Sequence, residues 1–206
     1  MDEVNIALAQ TNAEIDRFID LPWRLYSGSQ HWVPPIKSHV RRLLDPRKHP
    51  FWHSAERVLF LAYRGDRIAG RIAGIIDQEG MRYRSEKVAS WGFFECEDDL
   101  DASAALFGAV ENWSRQHGMN AMRGPMNPST NYDVGLLVEG FEHRPAVNMP
   151  YNPPYYVNLV EATGHVKEQD LSAFLWERGA QLSERVARLA QRANGNHDIR
   201  IRSMDR

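Results

Sequence analysis

The sequence contains little cysteine, no long apolar run and almost no net charge. Cys96 is the single cysteine in 206 residues, which excludes a disulfide within the chain and is typical of a reducing compartment. No stretch approaches the ~18 apolar residues of a membrane-spanning helix, and Asp2 and Glu3 stand where a signal peptide carries cations. The formal net charge of -2 provides no overall field to attract nucleic acid or an anionic membrane. We therefore expect a cytoplasmic protein without nucleic-acid or membrane partners.

Common catalytic and metal-binding motifs are also missing. The sequence has no HExxH, no paired CxxC, no phosphate-binding GxxxxGK[ST] loop and no GxSxG nucleophile elbow. Its histidines are scattered, which disfavours a shared metal site; four of them are His31, His49, His53 and His143. We expect no metal cofactor.

What the sequence does contain is an ordinary globular composition, with 43% apolar residues, enough for one core. Hydrophobic periodicity and turn residues indicate eleven elements. The predicted strands cover residues 4–10, 57–63, 67–76, 87–96, 120–125 and 166–176, and the predicted helices cover 12–23, 34–44, 102–117, 153–163 and 180–193. Asn12, Asp101 and Asn152 are the expected helix caps, Pro22 is expected to bend or end the first helix, and residues 81–86 are expected to form a loop. This order is neither a doubly wound parallel sheet nor a β-sandwich.

Four strings of the sequence are distinctive: GFFECEDD, RGPMNPSTNYDVGLLVEGF, MPYNPPYY and EATGHVKEQDL. Together with the element order, they resemble the GNAT (GCN5-related N-acetyltransferase) superfamily. Within it, the chain resembles the N-terminal half of a bacterial tandem GNAT-like family. The resemblance covers about residues 4–176 and implies an α/β (α+β) fold with a GNAT-like mixed, mostly antiparallel central sheet flanked by helices.

The resemblance also divides the chain into two parts. Residues 1–178 correspond to a GNAT-like acyltransferase domain, and residues 179–206 to a C-terminal helix and a strand-like tail, a candidate link to a second GNAT-like half. The alternation of residues 198–206 predicts either a strand that pairs with a second copy or half, or a frayed charged tail. A homodimer and pairing with a second half are both expected possibilities.

The activity implied by the resemblance is N-acyl transfer from acyl-CoA, or a related donor, to a small amine. In GNAT enzymes the donor pyrophosphate lies on backbone N–H groups of a glycine-rich loop at a helix N-terminus. The matching residues 95–101 contain five carboxylates and no glycine, which disfavours a normal CoA pose. Two alternatives therefore stay open: a non-catalytic GNAT-like module with a degenerate CoA site, and a transferase with a non-CoA donor.

Glu95 is the candidate general base. Strand alternation predicts that it shares a face with Trp91 and Phe93, and a carboxyl group beside aromatic surface has a raised pKa that suits a base. The resemblance implies a proton-accepting glutamate at this position. The other acids of the interval are expected to cap the next helix and complement its dipole.

Tyr155 and Tyr156 are the candidate general acids. The resemblance implies a tyrosine that protonates the departing thiolate four residues before a helix-ending glycine, but the residue four before Gly164 is Val160. The two tyrosines lie about one turn earlier. They are therefore either displaced acids or core aromatics.

The candidate substrate-binding residues lie in or beside the long irregular stretch 125–151. Its amides, hydroxyls and phenols can hold an uncharged polar ligand, and they are also ordinary turn residues. The candidates are Arg123, Asn127, Ser129, Asn131, Asn148, Tyr151 and Asn152. A basic cluster after the second helix either holds a phosphate or carboxylate acceptor or forms a solvated face; it consists of Arg41, Arg42, Arg47, Lys48 and His49, with Trp52 nearby.

Overall fold

The computed structural model describes residues 3–177, 179, 183–195 and 202, in two units, Met1–Glu168 and Gln169–Arg206. The strands are β1 (Val4–Leu8), β2 (Ala55–Arg64), β3 (Arg67–Asp77), β4 (Val88–Cys96), β5 (Ala121–Arg123), β6 (Met126–Asn127) and β7 (Asp133–Val134). The helices are α1 (Asn12–Leu25), α2 (Lys37–Leu44), α3 (Gln78–Arg84), α4 (Leu100–Gln116), α5 (Tyr156–Glu161) and α6 (Glu184–Asn194), with a 3₁₀ turn at Pro50–His53. None of the helices described is long and apolar enough to cross a membrane.

The central sheet has the strand order β1-β2-β3-β4-β5. All neighbours are antiparallel except β4 and β5, which run parallel. β6 and β7 form a separate antiparallel pair. The predicted mixed, mostly antiparallel sheet flanked by helices is confirmed.

The two faces of the sheet bury separate apolar clusters. On one face, Leu106 and Val110 of α4 are fully buried against β3 and β4. On the other face, Phe18 and Ile19 of α1 pack against β2 and β3. Both helices present the apolar residues that their periodicity predicts.

Helix α1 continues through Pro22 to Leu25, so of the two effects expected of the proline, a bend or an end, the end is wrong. Proline has no N–H and leaves the carbonyl four residues earlier without its helical partner. That carbonyl belongs to Phe18, and it accepts a hydrogen bond from the buried Arg71 guanidinium instead. The cap is Thr11, not Asn12, because Thr11 and Glu14 form a reciprocal capping box.

Other local predictions also differ from the structure. The predicted loop at 81–86 lies largely in α3, which begins at Gln78 because the Asp77 side chain accepts the Gly80 N–H at 3.1 Å. Residues 166–176 form no strand, because the described residues offer them no neighbouring strand, and Phe174 is 91% exposed. In the second unit, α6 begins at Glu184 after the Ser183 cap. Residues 180–182 of the predicted last helix, and the predicted tail strand at 198–206 except residue 202, lie outside the described residues.

Candidate active site

A bulge in β4 sets the geometry around Glu95. Arg71 of β3 pairs with Glu95, but Ala73 pairs with Gly92, so β4 contains one extra residue between these pairs. Phe93, within the bulge, has a φ of 50°. The extra residue reverses the strand alternation: Trp91 joins the core on the α4 side, whereas Phe93 joins the core on the α1 side. The prediction that these two aromatics share one face with Glu95 is therefore wrong.

Three side chains hold the Glu95 carboxylate. The hydroxyls of Tyr26 and Tyr156 each donate to Oε2 at 2.7 Å. The Arg71 guanidinium lies 3.7 Å from Oε1, and 14% of the Glu95 side chain is exposed. Burial raises the pKa of Glu95, while the Arg71 charge and the two hydroxyls oppose that shift. The result is a nearly enclosed carboxylate with a raised pKa and a small opening to solvent.

The two predicted acids, Tyr155 and Tyr156, lie on either side of the backbone of Cys96. The Tyr156 oxygen accepts the Cys96 N–H at 2.9 Å while its own proton points to Glu95. The Tyr155 hydroxyl donates to the Cys96 carbonyl at 2.9 Å. Burial raises the pKa of both phenols, and the nearby Glu95 charge adds to the shift. The structure thus brings Glu95 and both tyrosines together.

Sequence reasoning missed two residues of this site, Tyr26 and Arg71. Tyr26 is the C-terminal cap of α1, and its ring stacks on Trp32 with centroids 4.9 Å apart. Arg71 is 6% exposed in the otherwise apolar strand RIAGRIAGII. A cation at an inward position of a buried strand signals a buried partner. That signal was available for Arg71, whereas no local pattern identifies Tyr26.

Arginines neutralise the acidic interval 95–101. Glu97 pairs with Arg24 at 2.7 Å and also contacts Arg67. Asp99 accepts two hydrogen bonds from Arg64 at 2.6 and 2.8 Å, and these hydrogen bonds lower the pKa of Asp99. Asp99 also accepts the Ala102 N–H at 3.0 Å. The predicted Asp101 cap is therefore wrong, because Asp99 caps α4 and fills the anion position at its N-terminus.

Replacing Asp99 with alanine is expected to lower the free energy of unfolding by about 2 kcal/mol. Helix α4 loses its cap, and Arg64 loses the carboxylate to which it makes two hydrogen bonds. The melting temperature should fall by about 4 to 8 °C. Asp98→Ala, an equal charge change at an exposed neighbour, should have almost no effect. The Asp99 contribution is present above its unfolded pKa of about 3.9 and is lost as the pH falls through the lower folded pKa, so the two variants should converge in acid. Equal stability of both variants at pH 7 would contradict the capping role.

The predicted loop residues separate into two groups. Tyr151 lies beside the Glu95 site, with its ring centroid 5.9 Å from that of Tyr26 and its hydroxyl 3.3 Å from Ser29 Oγ. The second group is held by the scaffold, through its own bonds or, for Asn148, in a left-handed backbone turn. Ser129 accepts the Asn131 N–H at 3.3 Å, Asn148 has a φ of 62°, Arg123 pairs with Glu86 and Glu168 at 2.7 Å, and Asn152 accepts the Leu137 N–H at 2.7 Å. Asn152 does not cap α5, which begins at Tyr156.

Residues 124–127 cover the edge of β4 beyond its short pairing with β5. The Asn127 carboxamide oxygen accepts the Phe93 N–H at 2.6 Å. A Cβ on Gly92 would overlap the Met126 carbonyl oxygen, so the two backbones are in direct contact. Arg123 and Ser129 help to line a nearby cleft of about 50 Å³, which has room for a few water molecules. The part of the chain that the structure describes contains no group of three or more His, Cys, Asp or Glu side chains that could hold a metal ion.

No family model matches the chain. It is 37% identical over 191 residues to a bacterial ceramide synthase of Caulobacter vibrioides (strain NA1000 / CB15N), covering 92% of this chain and 50% of that protein. It is 30% identical over 169 residues to protein YghO of Escherichia coli (strain K12), covering 80% of this chain and 42% of that protein. The chain thus spans about half the length of these curated relatives.

The chain is similar in structure to a solved tandem GNAT protein from the clavulanic acid biosynthesis pathway. The aligned region covers 79% of this chain and 43% of that protein. The TM-score is 0.51 at 14% sequence identity, a likeness of fold. The strand order, the parallel β4–β5 pair and the helices on both faces agree with that likeness. The chain has the GNAT fold, as its sequence strings predicted.

Proposed function

We propose that the chain is an N-acyltransferase domain that joins a fatty acyl group to the amine of a long-chain amino alcohol, the linkage found in ceramides. The observation that carries the proposal is the Glu95 carboxylate, held by two phenols and a guanidinium beside the β4 bulge. The 37% identity to a bacterial ceramide synthase supports this substrate class. The sequence resemblance implied only a small amine as acceptor. The identity to a ceramide synthase supports the more specific proposal of an amine with a long alkyl chain.

Proton transfer is the step that this site supports. An amine that attacks an acyl carbonyl gives up a proton as the amide forms, and a carboxylate with a raised pKa accepts it well. Oε2 of Glu95 already accepts hydrogen bonds from two hydroxyls, whereas Oε1 accepts no hydrogen bond from the residues described and lies 3.7 Å from Arg71. We therefore assign proton acceptance to Oε1.

The departing group of the donor needs a proton, which either tyrosine would have to release from an existing hydrogen bond. Tyr156 is 1% exposed and shares its proton with Glu95. Tyr155 is half-buried, and its hydroxyl would give up only one hydrogen bond, the one to the Cys96 carbonyl. Tyr155 is therefore the better acid, and Tyr156 orients the base.

The region where a GNAT enzyme would hold its acyl donor, at the edge of β4 and the N-terminus of α4, favours a second candidate function. This is a GNAT-like module that binds the acceptor but has no donor site of its own. Two observations support it: residues 124–127 cover the edge of β4, and Asp99 occupies the N-terminus of α4. In that case acyl-CoA would bind to a second GNAT-like half or to a second copy. The proposed domain at 1–178 and the linking segment at 179–206 are compatible with either arrangement.

The test is amide formation by the purified chain. The protein is incubated with sphinganine or a short primary amine and with acetyl-, octanoyl- or palmitoyl-CoA, and the products are identified by mass spectrometry. A long-chain amide from the wild-type chain is the expected result. If the chain forms no amide but sphinganine alone raises its melting temperature, the module without a donor site is correct. Neither amide nor a thermal shift would overturn both candidates.

A further inference from the structure

The loop between α1 and α2 carries five consecutive apolar residues at the surface. We call them the apolar strip: Trp32, Val33, Pro34, Pro35 and Ile36. Val33 is 49% exposed and Ile36 is 60% exposed, both prolines are exposed, and Trp32 is partly exposed. Several consecutive apolar residues are seldom left in water unless they bind something. The apolar strip is therefore a candidate binding surface.

Trp32 is the fixed end of the apolar strip. Its ring stacks on that of Tyr26 with centroids 4.9 Å apart, and it meets the Trp23 ring edge-on at 5.3 Å. Its backbone N–H donates to Ser29 Oγ at 3.0 Å. A large ring that is held in place and still partly exposed offers apolar surface at a low cost in conformational entropy.

Tyr26 connects the apolar strip to Glu95. The phenol that stacks on Trp32 also donates its hydroxyl proton to Glu95 Oε2 at 2.7 Å. Tyr151 lies beside the same phenol, because its carbonyl oxygen is 3.5 Å from the Tyr26 hydroxyl and its own hydroxyl is 3.3 Å from Ser29 Oγ. A single tyrosine side chain thus bridges the carboxylate and the apolar strip. A molecule with an amine at Glu95 and an attached alkyl chain matches this arrangement.

The position of the apolar strip favours the chain of the acceptor over the acyl chain of the donor. The strip follows α1, which packs on the face of the sheet opposite to α4. The expected donor position lies at the N-terminus of α4, whereas the proton-accepting Glu95 serves the amine. The strip also contains no charged side chain, so its surface suits an alkyl chain and offers no cation to an anionic headgroup.

We propose that the apolar strip binds the alkyl chain of the acceptor amine, and that Trp32 determines the preference for a long chain. The proposal rests on the acyl transfer proposed above, which places the amine at Glu95. Each methylene group that leaves water for an apolar surface strengthens binding about fourfold. Two or three methylene groups on Trp32 therefore account for a preference of about 10- to 100-fold. A chain too short to reach the strip gains none of it.

The first test is the rate of amide formation from palmitoyl-CoA with butylamine or sphinganine as the acceptor. Trp32→Ala should lower kcat/KM for sphinganine by about 10- to 100-fold, mainly through KM, and should change the value for butylamine by less than about twofold. Tyr83→Ala, which removes an exposed aromatic ring on α3, is the matched control and should behave as the wild type with both amines. An equal loss with both amines in Trp32→Ala would overturn the proposal.

Binding measured without a donor distinguishes a failure of the apolar strip from a failure of acyl transfer. Calorimetry gives the affinity of the purified chain for butylamine, octylamine and dodecylamine. The affinity should rise with chain length in the wild type and stay nearly constant in Trp32→Ala. This result without any amide product would support the strip and contradict acyl transfer by the chain. Amide formation with no dependence on amine chain length, or with a dependence on the acyl chain that Trp32→Ala removes, would overturn the strip and leave acyl transfer in place.

A second variant applies if Trp32→Ala does not fold. Val33→Asn combined with Ile36→Asn changes two exposed side chains of the apolar strip, and it should weaken the binding of dodecylamine at least about fourfold. Unchanged affinity in this variant would overturn the proposal. Unchanged affinity together with a smaller assembly in analytical ultracentrifugation would instead assign the strip to a contact between copies of the chain.

Discussion

Replacing Glu95 with glutamine is expected to lower the rate of amide formation by about 10² to 10⁴, the range usual for loss of a general base. Glutamine keeps the size of the side chain and can still accept the hydroxyls of Tyr26 and Tyr156, so the site keeps its shape. It cannot accept a proton from the attacking amine. The loss should therefore appear in kcat, with little change in KM for the amine.

The matched control is Glu97→Gln, which removes the same charge two residues further on. Glu97 pairs with Arg24 and Arg67 near the surface and does not contact Glu95. Its replacement should change the rate less than about fivefold, the factor that corresponds to a surface ion pair of up to about 1 kcal/mol. Comparable rates in Glu95→Gln and the wild type would show that another group accepts the proton.

The pH dependence of the rate provides an independent readout of the same group. Glu95 must be ionised to accept a proton, and burial raises its pKa above the ordinary 4.5 of a glutamate. The wild-type rate should therefore fall as the pH decreases through this raised pKa. The residual rate of Glu95→Gln should lack that acidic limb. An unchanged limb in the variant would assign it to a different carboxylate.

Local sequence patterns predicted most of the fold because they record which residues face the core. The predicted strands at 57–63 and 67–76 lie within β2 and β3, and the apolar stripe of α4 is buried as predicted. The strand predicted at residues 166–176 is absent, because a strand needs a neighbouring strand that the local pattern does not record. The bulge at Phe93 was also missed, because it depends on the Asn127 carboxamide 34 residues later along the chain.

Only those residues of the candidate site that stand out in their local sequence could be predicted. Glu95 lies near the end of the aromatic strand β4, and Tyr155 and Tyr156 precede a helix-ending glycine, so residue type and position suggested them. Tyr26 reaches Glu95 across 69 residues of sequence, and no pattern near either residue records that contact. Local sequence predicts that the acidic interval repels a phosphate for the same reason, since its arginine partners lie on α1, β2 and β3.

Arg71 links the stability of the fold to the site, and its replacement by methionine is expected to lower the free energy of unfolding by about 3 to 5 kcal/mol. The variant leaves the Glu95 carboxylate buried without a cation. It also leaves the Phe18 carbonyl without a donor, because Pro22 has no N–H to offer. Urea unfolding followed by circular dichroism measures the change.

Two companion variants separate the buried charge from simple loss of an arginine. Arg67→Met removes an arginine four residues earlier on β3 that is 54% exposed, and it should cost less than about 1 kcal/mol. Arg71→Met combined with Glu95→Gln removes both charges, and it should recover about half of the loss, because only the Phe18 carbonyl remains unsatisfied. If the double variant were as unstable as Arg71→Met alone, the cost would lie in the carbonyl and in packing against Phe18, and the ion pair would contribute little to the fold.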